Sequence, residues 1–178
     1  NRVELVDFTN SAIVARNVAG FLFADSGISG AGSTAGEGPI VFGVPGGANG
    51  LQTGTTATIR NAVIGGGYQH NVAYYGQSGT TTLLIERTSP TVGACDIGNN
   101  SATTGADGVM VQLDGTAVGT VTIQQCRLRN NRLAAFRALV GGTATLAATV
   151  NGAEVVHSSQ GGDGIVLSNA DDADVTAS

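Results

Sequence analysis

Asp171, Asp172 and Asp174 crowd one short stretch, and paired carboxylates are what acid–base hydrolysis of a glycosidic bond requires. Such a pair must face one groove from two sides, whereas Asp171-Asp172 is a bare dipeptide whose simpler reading is a solvated turn. His70 and His157 are the two imidazoles. Neither has a Cys or His partner at metal-ligand spacing. His70 lies in the polar stretch Tyr68-Gln69-His70-Asn71, and His157 precedes Ser158-Ser159 without a Gly-x-Ser-x-Gly elbow. Both read as surface residues without a role. Asp107-Gly108 and Asp163-Gly164 are fragments of a calcium repeat at most. Calcium takes about six or more oxygens, so plain Asp-Gly turns are expected. The sequence therefore gives no catalytic residues, no metal ligands and no cofactor site.

Two other groups carry chemistry. Arg127, Arg129, Arg132 and Arg137 hold half of the eight basic charges. If Cys126 and Leu128 point inward, Arg127 and Arg129 share an outward face. That face is a candidate grip for the carboxylate of an acidic ligand; solvated charges that discourage lateral association are the competing reading. Cys95 and Cys126 are the only cysteines, and each opens the same unit: Cys95-Asp96-Ile97-Gly98-Asn99-Asn100 and Cys126-Arg127-Leu128-Arg129-Asn130-Asn131. On adjacent strands their Cα atoms would lie about 5 Å apart, within disulfide range. Stacked free thiols fit the same placement. A bond would imply an oxidising compartment. The echo also pairs Asn99 with Asn130 and Asn100 with Asn131, as rungs of an amide ladder.

The elements that must position these residues are short and repeated. Gly-Thr-x-Thr-apolar recurs at Gly79–Leu83, Gly119–Ile123 and Gly142–Leu146, with the longer Gly54–Ile59 as a relative. Asp107–Val111 is echoed by Asp163–Leu167, and Asn17–Phe21 by Asn71–Tyr75. Val, Ile and Thr alternate in these runs, and Gly, Asn and Asp bound them, as expected of strands. Aligning Leu83 with Ile123 would put the cysteines in different columns; aligning the cysteines sets a repeat of 31 residues. The echoes together predict coils of about 23–31 residues that stack like on like. Residues 26–54, rich in Gly and Pro, are expected to be an insertion outside that pattern. Leu128, Leu133, Phe136 and Leu139 have roughly helical spacing, but the strand-like flanks favour strands there too.

Composition sets limits. With 28 Gly, 42% hydrophobic and only 12% charged residues, the chain folds around small β-branched side chains rather than staying disordered. A net charge of −5 argues against a nucleic-acid partner. Lys is absent, which removes Lys nucleophiles and P-loop chemistry, and no apolar run reaches the ~20 residues of a membrane-spanning helix. Both termini look cut from a longer strand-bearing chain.

The Gly-Thr-x-Thr strands, Asn corners and Asp-Gly turns resemble the right-handed parallel β-helix repeats of secreted and cell-surface proteins. This pectate-lyase-like group includes adhesins, autotransporter passengers and phage tailspikes. The resemblance covers most of residues 54–178 and, less clearly, 1–25. It implies an all-β solenoid, one segment over residues 1–178, at an extracellular or cell-surface location. A polygalacturonase-like site would require Asn-Thr-Asp, Gly-His-Gly and Arg-x-Lys, which are missing. The expected role is a structural or adhesive rod that self-associates or continues through its ends. A polysaccharide lyase or hydrolase, or a glycan-binding module with a polysaccharide partner, is the alternative.

Overall fold

The computed structural model describes residues 2–88, 94–156 and 162–178, and the regular structure among them is strand throughout. A six-stranded sheet contains β1 (Glu4–Phe8), β4 (Gly27–Ala31), β7 (Val63–Gly67), β9 (Asp96–Gly98), β11 (Arg127–Arg129) and β14 (Glu154–Val156). A ten-stranded sheet contains β2 (Ile13–Ala15), β3 (Phe21–Ala24), β5 (Ile40–Phe42), β6 (Thr55–Arg60) and β8 (Val72–Glu86). It continues with β10 (Val109–Gln124), β12 (Ala134–Val140), β13 (Thr145–Asn151), β15 (Asp163–Asn169) and β16 (Asp174–Ala177). Every pairing between these strands is parallel. The chain alternates between the sheets, so each strand pairs with one that lies a full pass away.

Period-2 patterning decides which side chains are buried. In β10, Val121 and Ile123 are buried while Thr120 is exposed and Thr122 half-buried. The core is a stack of such residues, with Ile59, Ile85 and Ile123 all fully buried in one column. Three rings meet in one place. Phe42 is fully buried, meets Phe21 edge-on at 5.0 Å and lies 6.0 Å from Tyr74. Truncating a ring so placed typically costs about 3–5 kcal/mol.

The separation between paired residues is not constant. Along the six-stranded sheet it runs 23, 36, 33, 31 and 27 residues. Along the second half of the ten-stranded sheet it runs 36, 26, 38, 27 and 29. The expected ceiling of 31 is therefore too low, because the connections absorb the extra residues. Of the two registers read as exclusive in the sequence, the cysteine one is present and the alignment of Leu83 with Ile123 is not. Leu83 pairs with Val121 and Ile85 with Ile123, 38 residues apart, while Asp96 pairs with Arg127, 31 apart. The difference lies between Glu86 and Cys95, a longer connection than the one from Gln124 to Cys126.

Residues 26–54 are not an insertion outside the pattern. They supply β4 and β5, which pair with β1 and β7 and with β2 and β8. Glycine there reflects bends and close approach: Gly30 has φ +74, and a Cβ on it would collide with Asp7. The helically spaced run at 124–140 forms β11 and β12. The Asn17–Phe21 echo also fails, since Val72 pairs with Ile40 and Val18 bridges Leu51. The Asp107 and Asp163 echo holds, because Val109 pairs with Phe136 and Phe136 with Ile165.

Candidate functional site

The residues singled out by the sequence gather at the bends around the six-stranded sheet. The chain leaves that sheet through Asp7, Gly30, Gly66, Asn99 and Asn130, with φ of 55, 74, 72, 53 and 53°. The strand registers stack these residues in one column. Left-handed backbone suits Gly, and Asn and Asp tolerate it. Asn130 Nδ2 donates to Asn99 Oδ1 at 2.8 Å, a rung of an amide ladder. The neighbouring pair does not form a second rung. Asn131 Oδ1 accepts from Asn71 Nδ2 at 3.1 Å, while Asn100 Nδ2 donates to the Ala106 carbonyl at 2.9 Å and its Oδ1 accepts from Arg132 N at 3.0 Å. Asn71, Asn100 and Asn131 are buried, and there they satisfy groups of the irregular connections.

The chain enters the same sheet through a second bend, where Asp25, Asn61, Gln125 and Gly152 have φ between 50 and 58°. The next residues, Ser26, Ala62, Cys95, Cys126 and Ala153, form a column through hydrogen bonds of the type Arg127 N to Cys95 O, at 2.8 Å. Cys95 and Cys126 are bonded, their Cα atoms 4.7 Å apart and both side chains buried. The bond joins two adjacent passes of the chain.

Arg127 and Arg129 do face outward, but acids on neighbouring strands already hold them. Arg127 Nε lies 2.7 Å from Glu154 Oε2 on β14. Arg129 Nη2 lies 2.6 Å from Asp96 Oδ2 on β9. The Glu154 hydrogen bond, and its charge, raise the Arg127 guanidinium further. Reciprocally, Arg127 holds the Glu154 carboxyl below the ordinary glutamate range. Both side chains of this pair are more than half exposed, so solvent screens the interaction. Carboxylates of the chain itself thus occupy the face expected to grip an acidic ligand. A depression of about 420 Å³ lies beside it, lined by Gln125, Arg127 and Glu154 among others.

One cluster escapes sequence reasoning. Asp107 is buried, its Oδ1 accepting from Arg137 Nε at 2.9 Å and its Oδ2 lying 3.3 Å from His70 Nδ1. His70 is only 9% exposed, and its Nδ1 also lies 3.3 Å from Asp107 N. The expected surface histidine and plain Asp-Gly turn are therefore one buried charged unit. It joins the entries to β8 and β10 with the middle of β12, its members separated in sequence by 37 and 30 residues. The orienting half of a general base would have Nδ1–H donating to the carboxylate, whereas here Asp107 N–H donates to Nδ1. Among the described residues no hydroxyl or thiol bonds His70 either, so the unit reads as a pin between passes.

The remaining candidates disperse. Asp171 sits in a third bend column with Gly115 and Gly142, at φ 58, 63 and 69°, and its Oδ2 accepts from Gly142 N at 3.2 Å. Asp172 and Asp174 are exposed, as is Asp163. Among the described residues no three His, Cys, Asp or Glu side chains could hold one metal ion. His157 and Ser158-Ser159 lie outside the described residues. No helix of the described chain is long and apolar enough to cross a membrane. The chain matches no family model, no curated protein and no solved structure.

Proposed function

We propose that the two sheets are sides of a right-handed parallel β-helix. We further propose that the chain is a rod-like structural or adhesive module of an extracellular surface, matrix or fibre protein. The alternation of the chain between two parallel sheets supports the architecture, together with the three stacked bend columns. Crossovers between parallel strands are right-handed in about 98% of cases. The observation that carries the role is the Cys95–Cys126 bond. It links successive passes, rather than closing a catalytic cleft, and such bonds persist in oxidising compartments. The charged groups support the same reading, since Arg127, Arg129 and Arg137 are each committed to an acid of the chain. Self-association through the outermost strands belongs to the proposal. No specific observation favours the lyase or hydrolase reading.

Small-angle scattering of the monomeric chain tests the shape: an elongated particle is expected, and a spherical one would overturn the rod. Incubation with acidic polysaccharides tests the role. No reducing ends or unsaturated sugars are expected; their release, abolished by Asp171→Asn or Asp172→Asn, would make the protein an enzyme.

A further inference from the structure

The outward face of the ten-stranded sheet over β6, β8, β10 and β13 has a narrow composition. One column in register reads Thr56, Thr82, Thr120, Ala147 and Thr176. The next, two residues along each strand, reads Leu22, Thr58, Leu84, Thr122 and Thr149. Neither contains a charge; charge returns at the rims, with Arg60 and Glu86 on one side and Asp174 on the other. Pairing is unbroken across the patch, the irregularity between β8 and β10 lying outside it, at Leu113/Thr116. The threonines therefore sit on a grid of about 4.8 Å across the strands and about 6.7 Å along them.

Apart from Thr149, whose Oγ1 lies 3.1 Å from Ser178 Oγ, their hydroxyls have no partner among the described residues. Among the described residues Thr56, Thr58, Thr82, Thr120 and Thr122 make no side-chain hydrogen bond. Threonines elsewhere do: Thr55 donates to the Gln52 carbonyl at 2.6 Å, Thr81 accepts from the Tyr74 hydroxyl at 2.6 Å, and Thr143 donates to the Gly115 carbonyl at 3.1 Å. Water must satisfy the hydroxyls of the grid. β-Branching restricts χ1, and the ladder fixes the backbone, so those waters occupy positions set by the sheet. The γ-methyls, with Leu84 and Ala147, cage the same waters without bonding them. A carboxylate or ammonium, which would impose its own hydration shell, is absent from both columns.

We propose that this face binds ice. The ligand is crystalline water, whose oxygens repeat in two dimensions on spacings close to those of the threonine grid. The fit needs only the parallel sheet, and it stands whether or not the two sheets close into a helix. Water organised on the face before contact would join the growing lattice, with little further ordering required.

The test is thermal hysteresis of the purified chain, together with its partition into a slowly growing ice front. Hysteresis and enrichment in the ice are expected. Thr122→Tyr at the centre of the grid and Thr56→Lys in the adjacent column should each abolish both. Ser29→Tyr, at an exposed position of the six-stranded sheet, should leave both intact. Far-UV circular dichroism confirms that each variant keeps the β signal. Exclusion of the unaltered chain from ice would overturn the proposal, as would full activity in folded Thr122→Tyr and Thr56→Lys. Adsorption to crystalline chitin or cellulose without any effect on ice would also overturn it, and would reassign the face to a polysaccharide.

Discussion

At the scale of single residues, the bend columns show what each position demands. Ala62 and Ala153 occupy the column of Cys95 and Cys126, so alanine is a side chain that this position already accepts. Replacing both cysteines by Ala therefore removes the covalent link while copying a neighbour. The bond closes a 31-residue separation, for which the chain-entropy model gives about 3–4 kcal/mol. The double variant should lose that much stability, read from a denaturant curve in which the midpoint falls and the slope rises as the unfolded chain expands. Titration of the denatured, unreduced protein should find no free thiol. Two thiols per chain, or an unshifted midpoint, would show that the link is not made. The cysteine pair and the Asn99–Asn130 rung were legible because both lie in an echoed hexapeptide. His70, Asp107 and Arg137 were not, because their meeting depends on the lengths of two irregular connections that no local pattern encodes.

At the scale of elements, β11 lies between β9 and β14, and its arginines reach acids on both sides. The folded Glu154 carboxyl titrates below its ordinary range because Arg127 bonds it. Its contribution is thus present above the ordinary glutamate range and is lost as pH falls through the depressed folded value. A carboxyl titration followed by NMR should place Glu154 below an unpaired glutamate, and Arg127→Gln should move it back up. A midpoint unaltered by that substitution would disprove the pairing. Strand identity was legible from the alternation of Thr with apolar residues, but register was not. The Gly-Thr-x-Thr echoes put Ile59 over Leu83, Ile123 over Leu146 and Leu83 under Ile123. The sheet instead pairs Ile59 with Ile85, Ile123 with Val150 and Leu83 with Val121. Each error is an even number of residues. A period-2 pattern looks the same after any even shift, so composition alone could not choose.

At the scale of the whole molecule, tolerance should follow from where length is absorbed. Pro45, Gly46 and Gly47 are exposed in a connection. Four Gly-Ser residues added after Gly46 should cost under about 1 kcal/mol of loop-closure entropy. One residue added between Val121 and Thr122 would turn the rest of β10 inside out. The first variant should melt close to the parent in a thermal scan, and the second should fail to fold; the reverse order would contradict the register. The disulfide adds a mechanical consequence. A chain pulled by its two ends can shed strands only up to a covalent stop. The segment from Cys95 to Cys126 would stay slack while the load passed across the sulfur bridge. At about 3.4 Å per residue, roughly 100 Å of contour would remain withheld from extension until a reductant released it.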